Sequence, residues 1–127
     1  MNADNPVRIL IVEDEAIAAF ALKQELSQPG YTFCPVAASG DKAVEIAKTE
    51  RPDVVLMDIR LKGAMDGIEA ARRIRQFSSA KIIFVSGYAD PDIRQRAFAI
   101  SPAFLNKPLR GIEVLAMIKT MGSTTTD

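Results

Sequence analysis

The stretch Val7-Arg8-Ile9-Leu10-Ile11-Val12-Glu13-Asp14 decides the fold, because a nearly continuous apolar run ends abruptly in two carboxylates. Such a run is typical of a parallel strand whose two faces are both covered by helices. The run 53–57 repeats the pattern and stops at Asp58, and the run 103–106 stops at Lys107-Pro108. Because buried parallel strands place functional residues at their carboxyl ends, we expect three carboxylates and one ammonium to converge. Such a cluster would suit a divalent cation and a phosphoryl group.

Apolar runs alternate with segments of helical periodicity along the chain. The predicted strands are 7–13, 33–38, 53–58, 81–86 and 102–106, and the predicted helices are 15–27, 40–49, 66–77, 91–100 and 110–121. This alternation indicates βαβ units with right-handed crossovers. The predicted fold class is α/β, a doubly wound, five-stranded parallel sheet in a three-layer sandwich. We expect one domain over 1–127, with its core at about 7–121 and frayed ends at 1–6 and 122–127.

The composition excludes several classes of function. The chain has 127 residues and sixteen charged residues of each sign, so its net charge is zero. We therefore expect neither direct nucleic-acid binding nor membrane insertion, and the apolar stretch 16–22 is too short to span a bilayer. The absence of histidine rules out histidine catalysis and histidine metal ligands. The one cysteine, Cys34, cannot form an internal disulfide, and we expect it to be a buried strand residue in a cytoplasmic protein.

Five short motifs follow one another at predicted strand ends and helix starts. They are Ile11-Val12-Glu13-Asp14-Glu15, Val55-Leu56-Met57-Asp58, Met65-Asp66-Gly67-Ile68-Glu69, Val85-Ser86-Gly87 and Asn106-Lys107-Pro108. In this order they resemble the receiver domain of bacterial two-component response regulators, over essentially the whole chain from about Val7 to Met121. The resemblance implies a stand-alone receiver, similar to the chemotaxis regulators, with the flavodoxin-like strand order 2-1-3-4-5.

By this resemblance, Asp58 is the phospho-acceptor and Lys107 is the lysine that grips the phosphoryl oxygens. The implied cofactor is Mg²⁺, held by Asp14, Asp58 and the backbone carbonyl of Arg60, with Glu13 acting through water. Two carboxylates ~5 Å apart repel by roughly 3 kcal/mol at an effective dielectric of ~20, or about two pKa units. Without a metal, we therefore expect an acid of raised pKa in the cluster unless the lysine offsets the charge.

The resemblance also implies a conformational switch. Ser86 is expected to donate a hydrogen bond to the phosphoryl group and to draw the segment 86–92 with it, while Phe104 rotates into the vacated space. The surface of the fourth helix, fifth strand and fifth helix, called here the 4-5-5 face, would then change shape. The implied phosphoryl donor is a histidine kinase or a phosphotransfer protein, and the implied reader is an unknown downstream protein. The chain itself is expected to be a monomer or a weak homodimer.

The implied activity is that of a phospho-acceptor and not of a turnover enzyme. We expect slow autodephosphorylation, because Arg60 and Tyr88, two positions past Asp58 and Ser86, are bulky and would hinder water. Two features depart from the family pattern. The loop that follows Asp58 is one residue longer and lacks the usual proline, so the resemblance does not give its path. The switch aromatic, Phe104, has no hydroxyl with which to make a hydrogen bond.

Simpler structural roles are open for the same residues. Asp14, Asp66 and Asp90 each precede a predicted helix and would suit its N-terminal cap. Ser86 would suit a turn before glycine, and Phe104 would suit plain core packing.

Three other functions are compatible with a doubly wound sheet. An aspartate-nucleophile phosphohydrolase needs a second acid two positions after the nucleophile, where this chain has Arg60. A flavodoxin needs a phosphate loop after its first strand, where Glu13-Asp14-Glu15 would repel phosphate. A protein-binding module that is never phosphorylated is the third alternative.

Overall fold

Five parallel strands alternate with five helices in the structure of the protein, a computed structural model that describes residues 5–123, with side chains as far as residue 121. The strands are β1 (Val7–Val12), β2 (Tyr31–Phe33), β3 (Val54–Asp58), β4 (Lys81–Ser86) and β5 (Phe104–Asn106). The helices are α1 (Ala16–Leu26), α2 (Gly40–Glu50), α3 (Gly67–Arg75), α4 (Pro91–Phe98) and α5 (Gly111–Ser123). The strand order β2-β1-β3-β4-β5 confirms the predicted flavodoxin-like, doubly wound sheet.

The two-sided core explains why the central strands are apolar at nearly every position. Successive side chains of a strand point to opposite faces of the sheet. Leu10 and Val55 pack on one face with residues of α2 and α3, whereas Ile9 and Leu56 pack on the other with residues of α1 and α5. Every residue of β3 is buried. Because β1 and β3 are paired neighbours, their carboxyl ends reach the same edge of the sheet.

The predicted position of β2 is wrong. The prediction was 33–38, but the strand covers Tyr31–Phe33. Pro35 has no N–H to give to the ladder, so regular pairing stops before it. Beyond Phe33, the Cys34 N–H donates to the Ile9 carbonyl at 3.0 Å, and Ala37 bridges to Val12. Cys34 is buried as expected, but it lies one residue beyond the strand.

Two of the three aspartates that precede helices cap the N-terminus of the helix that follows, and one does not. Asp66 caps α3 and Asp90 caps α4, each accepting a backbone N–H three residues later, at 2.8 and 2.9 Å. The predicted cap at Asp14 is wrong, because α1 begins after Glu15 and has no side-chain cap bond. Asp14 therefore remains available to the carboxyl edge of the sheet.

The ends of the chain were predicted to be frayed. Residues 1–4 and 124–127 lie outside the described residues. In the part of the chain that is described, α5 continues to Ser123, two residues past the predicted end of the helix.

Candidate functional site

Three carboxylates meet at the carboxyl edge of the sheet. Glu13 and Asp14 follow β1, and Asp58 is the last residue of β3. One oxygen from each carboxylate lies within 4.8 Å of the other two. Asp58 is only 4% exposed, so its carboxylate has little access to water. A compact set of hard oxygen atoms of this kind can hold a divalent cation.

Lys107 supplies the positive charge of the site. Its Nζ donates to Asp58 Oδ2 at 2.9 Å and to Glu13 Oε1 at 3.3 Å. The lysine follows β5, which pairs with β4 and not with β3, so its side chain reaches across the end of β4. Its backbone N–H donates to the carbonyl of Ser86 at 2.9 Å, and its peptide bond to Pro108 is cis. The structure thus brings together the four charged groups that the strand ends predict.

Within the cluster, the pKa values of Glu13 and Lys107 are shifted. Burial raises the pKa of Glu13, and the charge of Asp58 adds to the rise. The hydrogen bond from the Glu15 backbone N–H and the charge of the Lys107 ammonium lower the pKa, but not enough to cancel the rise. Burial lowers the pKa of Lys107, but the hydrogen bond and charge of Asp58, followed by those of Glu13, outweigh burial and leave it raised. The predicted acid of raised pKa in the metal-free cluster is therefore Glu13.

Backbone amides of the loop between β3 and α3 orient two of the carboxylates. The Arg60 N–H donates to Asp58 Oδ1 at 3.0 Å, and the Lys62 N–H donates to Asp14 Oδ2 at 3.1 Å. Sequence reasoning missed the Lys62 contact, because a backbone amide has no signature in the residue types. The Arg60 peptide lies beside the cluster, and the metal-binding role of its carbonyl remains a prediction.

Gly67 lets the end of this loop close tightly onto the site. A Cβ at Gly67 would lie 2.0 Å from the backbone oxygen of Asp58, so a larger residue would force the two segments apart. The Gly67 N–H donates to the carbonyl of Ile59 at 2.9 Å. The start of α3 is therefore held directly against the end of β3.

The Ser86 hydroxyl and the Phe104 ring have partners other than the charged cluster. Ser86 is buried at the end of β4, and its hydroxyl donates to the carbonyl of Tyr88 at 2.7 Å. Phe104 is half-buried at the start of β5. The guanidinium carbon of Arg94 lies 4.4 Å from its ring centroid, and the Phe98 ring meets it edge-on at 6.4 Å. Arg94 and Phe98 are four residues apart, a spacing that places both on one face of α4.

A doubly wound sheet with an acidic cluster and a lysine at its carboxyl edge defines a receiver-type domain, and comparison with known proteins agrees. The family model of the response regulator receiver domain matches residues 9–120. The chain belongs to the response regulator receiver family. Receivers of this family accept phosphoryl groups from histidine kinases and act on downstream partners.

Two curated relatives carry similar segments within longer chains. The transcriptional regulatory protein PdtaR of Mycobacterium tuberculosis is 35% identical over 119 residues, which are 93% of this chain and 58% of PdtaR. The transcriptional regulatory protein YvrH of Bacillus subtilis is 31% identical over 112 residues, which are 87% of this chain and 47% of YvrH. The chain thus spans about half the length of these relatives.

Solved receiver structures match the whole architecture. The receiver domain of a modulated diguanylate cyclase from Desulfovibrio desulfuricans G20 is 36% identical, with a TM-score of 0.83 over 91% of this chain and 92% of that one. The response regulator domain of Thermotoga maritima CheB is 30% identical, with a TM-score of 0.82 over 91% of this chain and 95% of that one. Within residues 5–123, no helix has the length and apolar character that a bilayer crossing requires.

Proposed function

We propose that this chain accepts a phosphoryl group on the Asp58 carboxylate and passes the signal on by a change of surface shape. One observation carries the proposal: Lys107 Nζ lies 2.9 Å from Asp58 Oδ2, with oxygens of Glu13 and Asp14 inside the same 4.8 Å cluster. A buried carboxylate, a countercharge and further carboxylate oxygens thus lie together, as this function requires. The phosphoryl donor is a histidine kinase or a phosphotransfer protein, and the reader is a downstream protein.

Phosphoryl transfer mainly requires in-line positioning and neutralisation of charge. The P–N bond of a donor phosphohistidine breaks while a P–O bond forms to Asp58, and the donor imidazole takes up a proton. Lys107 already donates to Asp58, and it would shift its hydrogen bond to a phosphoryl oxygen. The product is an acyl phosphate, which hydrolyses in water, so the protein acts as a transient acceptor and not as a turnover enzyme.

The donor set fits Mg²⁺, which prefers carboxylate, carbonyl and water oxygens in octahedral geometry. Asp14 and Asp58 would bind the ion directly, the Arg60 carbonyl would complete the protein ligands, and Glu13 would act through water. When bound, Mg²⁺ neutralises charge on the phosphoryl oxygens. The raised pKa of Glu13 is consistent with the assignment, because burial and, to a lesser degree, the charge of Asp58 disfavour its charged form, and a bound cation would offset both effects.

The switch would begin at Ser86. Its hydroxyl now donates to the Tyr88 carbonyl, and turning it to the phosphoryl group would break that bond. The segment 86–92 would lose an anchor, and Phe104 would leave its stack with Arg94. Since Arg94 is on α4 and Phe104 is on β5, this movement would remodel the 4-5-5 face.

The remaining features of the proposal follow from the same family assignment. Residues 7–121 would act as one receiver domain in the cytoplasm, as a monomer or a weak homodimer, without direct contact to nucleic acid. No contact of the described residues favours the phosphohydrolase alternative, and the position of its second acid is occupied by Arg60.

The test is incubation with Mg²⁺ and acetyl phosphate, followed by intact mass measurement. The wild type should gain one phosphoryl group that survives acid and is removed by base or hydroxylamine, and Asp58→Asn should gain none. Continuous release of phosphate would indicate a phosphohydrolase. An unmodified wild type would indicate a binding module and would contradict the proposal.

A further inference from the structure

The loop 59–66 is fixed to the core by buried side chains. Leu61 and Met65 are 9% and 8% exposed and belong to the hydrophobic cluster between the sheet, α2 and α3. The residues between them, 62–64, are exposed. Gly63 has a φ of +101°, in the region that favours glycine, so the exposed part turns back sharply. Both flanks of this exposed turn are held in the core.

Met65 rests on Gly40, the first residue of α2. A Cβ at Gly40 would lie 2.9 Å from the Met65 backbone oxygen and 3.0 Å from Met65 Cγ. Any side chain larger than hydrogen would therefore push the loop outward. Glycine is intrinsically less favourable in a helix than alanine. Close approach of the loop, and not helix propensity, accounts for glycine at this position.

The supported loop carries the amides that orient the acidic cluster. The Lys62 N–H donates to Asp14 Oδ2 at 3.1 Å, three residues before Met65. The Arg60 N–H donates to Asp58 Oδ1 at 3.0 Å, on the other side of the buried Leu61. A displacement of the loop at Met65 would consequently change the alignment of Asp14, although α2 itself contributes none of the clustered carboxylates.

We propose that the contact between Gly40 and Met65 is a positioning device for the metal site, in which the start of α2 sets the geometry of the Asp14 and Asp58 carboxylates. Gly40 and Met65 are positioning residues, since they act only through the loop. The inference rests on the proposed function, because it assumes that these carboxylates bind Mg²⁺. By this inference, the first turn of α2 influences metal affinity although it contributes no charged residue to the metal site.

Gly40→Ala tests the device without altering any ligand. Loss of outer contacts to metal ligands commonly weakens metal binding 10- to 100-fold, so Mg²⁺ should bind Gly40→Ala about tenfold more weakly in calorimetric titration. Met65→Ala should weaken Mg²⁺ binding in the same direction, and Met65→Leu, which keeps the buried volume, should restore most of the affinity. Gly40→Ala binding Mg²⁺ as tightly as the wild type would overturn the proposal.

A matched control separates positioning from general destabilisation. Ala47 is buried on the same helix, about two turns beyond Gly40, so Ala47→Gly loosens α2 at a distance from the contact with Met65. Mg²⁺ affinity should stay at the wild-type level in Ala47→Gly even where its stability falls as much as that of Gly40→Ala. Equal losses of affinity in the two variants would contradict a specific role for the contact.

Hydrogen exchange provides a readout that needs no metal. The Lys62 N–H should be protected by Asp14 in the wild type, and this protection should fall in Gly40→Ala and Met65→Ala but not in Ala47→Gly. Failure of the proposed function is recognised separately, because a wild type that binds no Mg²⁺ would refute the metal site itself. Unchanged Lys62 protection in Gly40→Ala would refute the positioning device whatever the metal does.

Discussion

Lys107 Nζ donates to Asp58 Oδ2 at 2.9 Å, although the two residues are 49 positions apart. Asp58 ends β3 and Lys107 follows β5, and these two strands are not paired with each other. β4 lies between them, so only a long side chain at the end of β5 can reach the nucleophile. In the metal-free protein this ammonium offsets part of the charge of the cluster. In the phosphorylated protein it would bind the new phosphoryl group.

Replacement of Lys107 by Met should therefore affect both stability and transfer. The buried Asp58 carboxylate would lose its ion-pair partner, but the lysine side chain is 36% exposed, so solvent screening limits the cost. We expect the free energy of unfolding at neutral pH to fall by about 1 kcal/mol in urea denaturation. Labelling by acetyl phosphate should become much slower. Wild-type stability together with a wild-type labelling rate would contradict the role of the lysine.

Glu13→Gln should stabilise the metal-free protein at neutral pH. The pKa of Glu13 is raised above its ordinary value of 4.5, so the folded state holds the proton more tightly than the unfolded chain does. Stability attributable to Glu13 consequently falls as the pH rises through and above 4.5. The gain in Glu13→Gln should be present at neutral pH and should vanish below 4.5.

Chemical unfolding of both forms across this pH range measures the effect. Saturating Mg²⁺ should abolish or reverse the advantage of Glu13→Gln, because a bound cation would favour the charged form of the Glu13 carboxylate. If Glu13→Gln is less stable than the wild type at neutral pH in the presence of a chelator, burial of the charged Glu13 carboxylate does not destabilise the protein and the prediction is wrong.

Arg94→Ala should release Phe104 without impairing the chemistry. The guanidinium stacks on the ring, and a contact of this kind at a partly exposed site contributes about 0.5–1 kcal/mol. Aromatic NMR signals of Phe104 should move toward their positions in the beryllofluoride-treated protein, while the rate of labelling at Asp58 stays unchanged. Arg96→Ala, an exposed arginine on the same helix, is the control and should leave the Phe104 signals in place.

The phosphorylated form should decay slowly if Arg60 and Tyr88 hinder water. Both side chains are exposed, that of Tyr88 to 68%. Replacing both with alanine should accelerate phosphate release, measured by loss of the acyl phosphate after removal of the donor. A wild-type lifetime of only seconds, or a double variant as slow as the wild type, would count against the steric explanation.

The sheet could be predicted because β1, β3 and β4 are apolar on both faces, which is a pattern of burial and not of local propensity. β2 was misplaced because Cys34-Pro35-Val36-Ala37 looks apolar enough for a strand. The missing N–H of Pro35 ends the ladder, while the short segment Tyr31-Thr32-Phe33 carries the better β-formers.

The charged side chains of the site could be predicted because parallel strands deliver their carboxyl ends to one edge. The contacts that orient them could not. The Lys62 amide and the bond from Ser86 to Tyr88 depend on the path of the backbone, which residue types alone do not specify. The stack of Arg94 on Phe104 joins α4 to β5, and only the spacing of Arg94 and Phe98 hints at it.

The most direct measurement of the central claim is chemical mapping of the modified residue. The protein is treated with phosphoramidate and Mg²⁺, the acyl phosphate is reduced with borohydride, and the resulting homoserine is located by peptide mass spectrometry. The account predicts homoserine at position 58 alone, dependent on Mg²⁺ and absent in Asp58→Asn. Homoserine at another carboxylate, or none at position 58 with Mg²⁺ present, would contradict it.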